Sequence, residues 1–255
     1  MDFVTMAVSS VGNVKEVNQD YYFFEQGRTE RGNIVFAILC DGMGGLQQGE
    51  FASKTVVEAF KAWGKEHLPD YSLGEFVDAE IRREWTELVN RCNQYLHAYG
   101  RERGISLGTT LTVLLMTEER YYIMNIGDSR AYALEAGIRQ LTRDHTVVQR
   151  EVDLGKLSAY DAEKDSRRNI LLQCIGASDQ IYPDFFFGAP EPKATYLLCS
   201  DGFRHEVSGE ELYQVLQRNR RESLEDLESA LKILLRWNLE RQERDNLTAI
   251  AISTI

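Results

Sequence analysis

Four aspartates stand where predicted β-strands begin or end, and this placement is the first sign of chemistry in the sequence. They are Asp41 and Asp201, which follow apolar strand-like runs and precede a glycine, and Asp20 and Asp245, which come just before such runs. A buried strand fixes the residue at its end, and the following glycine lets the backbone turn sharply and approach a ligand. Converging carboxylates repel one another unless a cation neutralises them, and all-oxygen ligand sets select hard ions. The pattern therefore favours a site for Mg²⁺ or Mn²⁺ rather than Zn²⁺.

Each of these aspartates also has a simpler interpretation as a turn residue. Asp-Gly is a common turn dipeptide, so a single instance is more often structural than functional. Asp128 follows another predicted strand in the run Gly127-Asp128-Ser129-Arg130, and taken alone it indicates a turn with an Asp–Arg pair. The recurrence of the pattern is what favours a metal site. The glycines after Asp41 do not follow the GxxxxGK[ST] spacing, which argues against a nucleotide-binding P-loop.

The composition is that of a folded globular protein. Of 255 residues, 43% are hydrophobic and 27% are charged, and the formal net charge is -11. This acidic balance argues against non-specific binding to nucleic acid or to an anionic membrane. No run approaches the ~18 apolar residues of a membrane span, and the start of the chain lacks the layout of a signal peptide. We therefore expect a cytoplasmic protein, in which the widely spaced Cys40, Cys92, Cys174 and Cys199 are buried free thiols.

The elements that must position the aspartates follow a clear order along the chain. Strands are predicted at Phe3–Ser9, Tyr21–Glu25, Ile34–Cys40, Thr110–Thr117, Tyr121–Ile126, Ala131–Ala136, Ile170–Cys174, Asp184–Gly188, Thr195–Cys199 and Leu247–Ile252. Helices are predicted at Glu50–His67, from about Glu75 (with a capping box from Ser72) to Gly100, and at Val147–Leu154, Ala159–Lys164, Glu210–Gln217 and Leu224–Glu240. Helices do not alternate one for one with strands, so a doubly wound parallel sheet fits poorly. The order favours one continuous domain over residues 1–255, with a two-sheet core and helices on its outer faces.

Eight segments, taken together and in order, resemble the metal-dependent protein phosphatases of the type 2C family in their bacterial stand-alone form. They are GNVKEVNQD (Gly12–Asp20), VFAILCDGMGG (Val35–Gly45), GTTLTVLL (Gly108–Leu115), IGDSRAY (Ile126–Tyr132), LTRDHTVVQ (Leu141–Gln149), RNILLQCIG (Arg168–Gly176), LLCSDGF (Leu197–Phe203) and RDNLTAIAI (Arg244–Ile252). The resemblance spans nearly the whole chain. It implies an α+β fold of two packed antiparallel β-sheets flanked by helix pairs, a four-layer α-β-β-α sandwich. It also implies a protein serine/threonine phosphatase.

The resemblance further implies a centre of two Mn²⁺ or Mg²⁺ ions at one end of the sandwich. Asp41 matches a carboxylate that bridges both ions, the carbonyl of Gly42 matches a ligand of one, and Asp201 and Asp245 match ligands of the other. Asp20 matches a carboxylate that holds metal-bound water. Asp128 matches a ligand of a third, weaker ion, with Asn169 nearby. Two such ions sharing a water lower its pKa, so that hydroxide forms near neutral pH and attacks phosphorus directly.

This chain departs from the family pattern at three positions. Lys15 stands where many members carry Arg, and it is expected to contact the substrate phosphate as a point charge rather than a bidentate fork. Gln19 replaces a glutamate that ligates metal in many relatives. Met43 stands where animal members often have a histidine thought to protonate the leaving group. His145 is a further candidate acid, although a structural histidine at a helix start is its simpler interpretation.

Two other functions are alternatives to a protein phosphatase. A pseudophosphatase, which keeps the fold as a regulatory binding module, should lack core acids, yet Asp20, Asp41, Asp201 and Asp245 are all present. An enzyme acting on a small phosphorylated metabolite is the second. For the phosphatase, we expect phosphorylated proteins as substrates, a cognate serine/threonine kinase as partner, a monomer, and a mobile flap beside the site at about residues 144–168.

Overall fold

A computed structural model describes residues 1–44, 48–71, 77–217 and 223–255. Gly45 and the predicted capping box from Ser72 to Glu75 lie outside these ranges. Within them the strands are β1 (Phe3–Ser10), β2 (Asp20–Thr29), β3 (Gly32–Gly44), β4 (Leu107–Thr109), β5 (Leu111–Thr117), β6 (Tyr121–Ile126), β7 (Arg130–Leu134), β8 (Ile138–Gln140), β9 (Asp184–Gly188), β10 (Thr195–Cys199) and β11 (Leu247–Thr254). The helices are α1 (Gln48–Tyr71), α2 (Asp78–Arg103), α3 (Val147–Asp153), α4 (Ala159–Ala162), α5 (Gly209–Leu216) and α6 (Leu224–Glu240).

The strands form two antiparallel sheets. The first has the order β1-β11-β10-β7-β8 and the second has the order β2-β3-β5-β6-β9, with β4 paired to the end of β3. Strand β11 is therefore an interior strand of its sheet, hydrogen-bonded to β1 on one side and to β10 on the other. The expected α+β fold with two antiparallel sheets is confirmed.

Alternation of side chains along the strands produces the four layers. Along β3, Val35, Ala37 and Leu39 belong to the core between the two sheets, whereas Phe36 and Ile38 pack against α1 and α2. Successive residues of a strand point to opposite faces, so a strand covered on both sides reads as one apolar run. The first sheet behaves in the same way, with its outer face packed against α5 and α6. The two helix pairs thus cover the outer faces of the sandwich.

Capping residues set the start of the second helix pair. Ser208 and Glu211 form a reciprocal capping box at the start of α5. The Ser223 hydroxyl accepts a hydrogen bond from Asp226 N at the start of α6. A side chain that satisfies a free amide of the first turn fixes where a helix begins, and α6 has the predicted bounds.

Three features differ from the sequence-based prediction. The predicted strand Ile170–Cys174 is wrong, because this segment forms only isolated bridges at its edges, from Leu171 to Thr146 and from Ile175 to Thr109. Its apolar Ile170 and Leu172 are exposed and do not line a core. Strand β3 does not stop at Cys40 but continues to Gly44 by exchanging β5 for β4 as its partner. The short strands β4 and β8 were not predicted.

The cysteines agree with the expectation drawn from their spacing. All four cysteines are buried and free. Among the residues that the structure describes, no helix combines the length and the apolar character that crossing a membrane requires.

Candidate metal centre

Asp20 and Asp41 face each other across the first pair of neighbouring strands. Asp20 is the first residue of β2, and it lies opposite Asp41 in the register of β2 with β3. The Asp41 amide donates to Thr110 Oγ1 at 2.9 Å, and its carbonyl accepts from Thr110 N at 2.9 Å. These two bonds hold Asp41 where β3 changes partners. Asp41 is therefore held within a strand and not in a turn.

Gly42 lies where three backbone segments meet. Its amide donates to Gln19 O at 3.1 Å. A Cβ atom at this position would lie 2.2 Å from Gly49 O and 2.5 Å from Gln19 O. Any side chain here would displace either the start of α1 or the segment before β2. The glycine is required by close packing of the chain, independently of any role of its carbonyl.

Asp201 and Asp245 lie at one edge of the first sheet. Strand β10 ends at Cys199 and its antiparallel neighbour β11 begins at Leu247, so the residues beyond these ends emerge side by side. The two segments touch directly, because a Cβ atom on Gly202 would lie 2.2 Å from Asn246 O and 3.1 Å from Asp245 Cβ. Antiparallel pairing thus brings together two aspartates that are distant in the sequence.

Asn246 connects this edge to the segment that carries Lys15 and Gln19. Its Oδ1 accepts from Gln19 N at 2.8 Å, and its Nδ2 donates to the carbonyls of Val11 at 2.9 Å and Val17 at 3.2 Å. The side chain is buried. Sequence reasoning missed this residue, and the one available signal was an amide residue directly after Asp245 at the start of a strand.

Burial and mutual repulsion act on the carboxylates of this region. Burial raises the pKa of Asp20 to about 7, and the hydroxyls of Thr248 and Ser200 oppose this rise. Burial, followed by the charges of Asp20 and Asp201, raises the pKa of Asp41 well above its usual range. Each rise in pKa means that the folded protein disfavours the ionised form of the carboxylate relative to its protonated form.

The residues present fit a hard divalent cation. Asp20 Oδ1 and Asp201 Oδ1 are buried and accept no hydrogen bond of ordinary geometry from any residue that the structure describes. A buried carboxylate oxygen without a partner is costly unless a cation compensates it. Within the described ranges, however, no three His, Cys, Asp or Glu side chains stand close enough together to form a complete ligand set. The charges of the aspartates repel one another. Their carboxylates could therefore come closer together only if a cation neutralised that charge.

Lys15 supplies a positive charge at this edge. Its Nζ lies 2.9 Å from Asp245 Oδ1, and both side chains are more than a third exposed. Burial lowers the pKa of Lys15, but the hydrogen bond and charge of Asp245, with the charges of Asp41 and Asp201, raise it overall. The ammonium group therefore stays charged beside three of the predicted site aspartates.

Asp128 lies on the side of the site that faces the predicted flap. Burial and the charge of Asp201 raise its pKa to about 7, and Arg204 opposes this shift. Arg204 donates to Asp128 O at 3.2 Å and lies 3.6 Å from Asp144 Oδ2. Asp144 in turn pairs with the guanidinium of Arg130 through both its oxygens. These ion pairs anchor the flap end nearest the site.

A cleft of about 710 Å³ lies between the helices of the flap region and the start of α5. Asn169 lines it together with Arg204 and His205, which neighbour Asp128. The cleft has the size of an ordinary ligand-binding cleft.

His145 and Gln19 are both engaged in hydrogen bonds. His145 Nδ1 lies 3.2 Å from Gly127 N and 2.8 Å from Gln173 Nε2, and its Nε2 lies 3.1 Å from Asp184 Oδ2. Because both ring nitrogens are occupied, His145 has the structural role that was its simpler interpretation. Gln19 Nε2 donates to Gly44 O at 3.2 Å, so its amide lies along the end of β3.

Comparison with known proteins finds one family over most of the chain. The family described as protein phosphatase 2C matches residues 10–236. The serine/threonine phosphatase Stp of Listeria welshimeri is 33% identical over 189 residues, which is 74% of each chain. The protein phosphatase PhpP of Streptococcus pneumoniae is 32% identical over 215 residues, or 82% of each chain. A crystal structure of the catalytic domain of the serine/threonine protein phosphatase PstP, in complex with two manganese ions, superposes with a TM-score of 0.78 at 28% identity. That superposition covers 98% of this chain and 97% of the solved catalytic-domain chain.

Proposed function

This chain belongs to the protein phosphatase 2C family, and from that premise we propose that it removes phosphate from phosphoserine and phosphothreonine in other proteins. The observation that carries the proposal is a set of four aspartates, from β2, from β3 and from the segments after β10 and before β11, whose charges interact. These aspartates come from separate parts of the chain, and the charges of Asp201 and Asp245 contribute to the raised pKa values of both Asp20 and Asp41. The pseudophosphatase alternative requires the loss of such acids, and nothing observed supports it.

We assign the metal-binding roles to the residues named from the sequence. Asp41 and the carbonyl of Gly42, with Asp201 and Asp245, would hold two Mn²⁺ or Mg²⁺ ions, and Asp20 would hold water bound to them. Asp128 would serve a third, weaker site. When bound, such ions acidify water and neutralise charge that develops on the phosphoryl oxygens. The buried, unpartnered oxygens of Asp20 and Asp201 support this assignment.

The chain's own residues would orient the phosphate and the carboxylates. Lys15 is half exposed, and its ammonium can reach outward from Asp245 to an anionic substrate. Thr110 and Asn246 hold the backbones of Asp41 and of the segment before Asp20. A rigidly held set of groups lowers the cost of organising the reacting atoms.

We further propose that residues 1–255 act as one domain with a flap at about 144–168. In that region Arg167 pairs with Glu151 and Asp165, and Gly155 has φ +68°, which favours glycine. The cleft beside these helices supports a role in substrate choice. A cognate serine/threonine kinase, a monomeric state and a cytoplasmic location complete the proposal. The four buried free thiols support a reducing compartment.

The proposal is tested by measuring turnover of a phosphothreonine peptide and of a panel of phosphorylated metabolites, each with Mn²⁺ and with a chelator. We expect release of phosphate from the peptide that requires the metal. Binding of a phosphoprotein without turnover would favour the pseudophosphatase. Faster hydrolysis of a metabolite than of any phosphopeptide would overturn the assignment to protein substrates.

A further inference from the structure

Asp201 and Asp245 project from separate strands, and their relative position depends on more than the pairing of β10 with β11. The pairing ends at Cys199 and Ala249, so both aspartates lie beyond the last register pair. Loop residues outside a ladder need other contacts to fix them, because the ladder no longer holds their backbones. Two side chains that the sequence did not single out supply such contacts.

His205 lies between two carboxylates. It follows a turn in which Arg204 N donates to Asp201 O at 3.0 Å. Its Nε2 is 3.5 Å from Asp201 Oδ2, and its Nδ1 is 3.7 Å from Glu243 Oε2. All three side chains are at most 10% exposed. The imidazole therefore stands between the two carboxylates, with one ring nitrogen facing each.

Glu243 connects this arrangement to Asp245. Its Oε1 accepts from Arg244 N at 2.7 Å and from Asp245 N at 2.9 Å. Its own amide donates to Asn238 O at 3.0 Å, near the end of α6. Asn238 is itself buried and donates to Phe203 O at 2.9 Å, two residues after Asp201. The backbone of Asp245 is thus tied through the side chains of Glu243 and Asn238 to the same turn that carries Asp201.

We propose that His205 and Glu243 form a brace that fixes Asp201 relative to Asp245, and that both are positioning residues for the metal centre. The proposal rests on the metal centre assigned above. Residues that orient metal ligands typically change metal affinity by about 10- to 100-fold when they are replaced. His205 and Glu243 would act in this way without touching the ion.

The test is calorimetric titration of Mn²⁺ into the metal-free protein, together with its thermal unfolding. We expect His205→Ala and Glu243→Gln each to raise the Kd for Mn²⁺ by about tenfold. The two side chains act in one chain of contacts, so their effects should not add. The Kd of the double variant for Mn²⁺ should therefore be no more than about twofold above the higher of the two single-variant values.

His97→Ala is the matched control. His97 is partly buried on α2, and its ring contacts Ser178 O at 2.9 Å, away from the aspartates. We expect it to lower the melting temperature and to leave the Kd for Mn²⁺ unchanged.

Three outcomes would count against the brace. An unchanged Kd in His205→Ala, with only a lower melting temperature, would reduce the residue to a packing role. Independent and additive effects of the two variants would also overturn the proposal. A wild-type protein that binds no Mn²⁺ would overturn both the brace and the proposed function. The first two outcomes would overturn the brace alone.

Discussion

Lys15 Nζ lies 2.9 Å from Asp245 Oδ1, so the cation expected to contact phosphate shares a carboxylate with the proposed metal centre. The two residues come from opposite ends of the chain, and the Asn246 hydrogen bonds hold their segments together. Asp245 can therefore influence both metal binding and the orientation of Lys15.

This arrangement makes Lys15→Arg informative. A guanidinium can bind a phosphate through two parallel hydrogen bonds, whereas an ammonium acts as a point charge. We expect the KM for p-nitrophenyl phosphate to fall by about three- to tenfold, the equivalent of one added hydrogen bond. Lys232→Arg is the control, since Lys232 is exposed on α6 and pairs with Glu228. An unchanged or higher KM in Lys15→Arg would count against contact of Lys15 with phosphate.

Asp41→Asn should separate activity from stability. Loss of the carboxylate should reduce hydrolysis by about a hundredfold or more, because it removes a charge from the proposed centre. In metal-free protein the same change should raise the melting temperature, since burial and neighbouring aspartates already disfavour the ionised Asp41. Phosphate release and calorimetric unfolding in chelator measure the two effects. Asp78→Asn, at a half-exposed pair with Arg120, is the control. Full activity in Asp41→Asn would refute its role.

Asn246→Ala should weaken the connection between β11 and the segment that carries Lys15 and Gln19. Three hydrogen bonds of a buried side chain are lost. At about 1 kcal/mol each, we expect a loss of about 3 kcal/mol in the free energy of unfolding, measured in urea. Mn²⁺ affinity should fall as well. Asn93→Ala also removes hydrogen bonds of a buried side chain, to Gly176 and Ser178, and should destabilise without affecting Mn²⁺ binding. Equal effects of both variants on affinity would argue against a local role for Asn246.

Glu211 should give stability that depends on pH. Hydrogen bonds from Arg241 and Ser208 lower its pKa from 4.5 to about 2. A carboxylate whose pKa is lower in the folded state stabilises the protein above its unfolded pKa, and this contribution is lost as the pH falls from 4.5 towards 2. Glu211→Gln should therefore be less stable than wild type at pH 7, by less than about 1 kcal/mol because the pair is partly exposed. The difference should shrink below pH 4.5.

Urea unfolding at several pH values between neutral and acid measures this difference. Glu210→Gln is the control in the same turn of α5, because Glu210 accepts a hydrogen bond from the neutral amide of Gln214. A difference between wild type and Glu211→Gln that stays constant across this range would contradict the assigned ion pair.

Much of the fold could be predicted because local and tertiary signals agree. The strands β6, β9 and β10 and the helix α6 have the predicted bounds, since apolar runs end at turn residues and Ser223 caps the helix. Ile170–Cys174 failed because an apolar run alone does not show whether a partner strand exists. Strand β8 was missed because three residues with an exposed middle carry too little pattern.

The part of the candidate site that could be predicted consists of carboxylates next to the ends of predicted strands. Asp20, Asp41, Asp201 and Asp245 could be named in this way. Their supports could not, because Asn246 acts through the backbones of Val11, Val17 and Gln19, and His205 acts through Glu243. Such contacts arise only when distant segments meet, and nothing in their own neighbourhood along the chain indicates them.

Strand β11 lies between β1 and β10 in its sheet, yet it emerges from the ribosome after every other described strand. Until it is made, β1 and β10 have no strand between them, and the loop bearing Asp245 and Asn246 does not yet exist. Pairings between remote segments also form slowly. The sheet edge that carries Asp201 and Asp245 therefore forms only after β11 has been synthesised, so the proposed metal centre is among the last parts of the described fold to be completed.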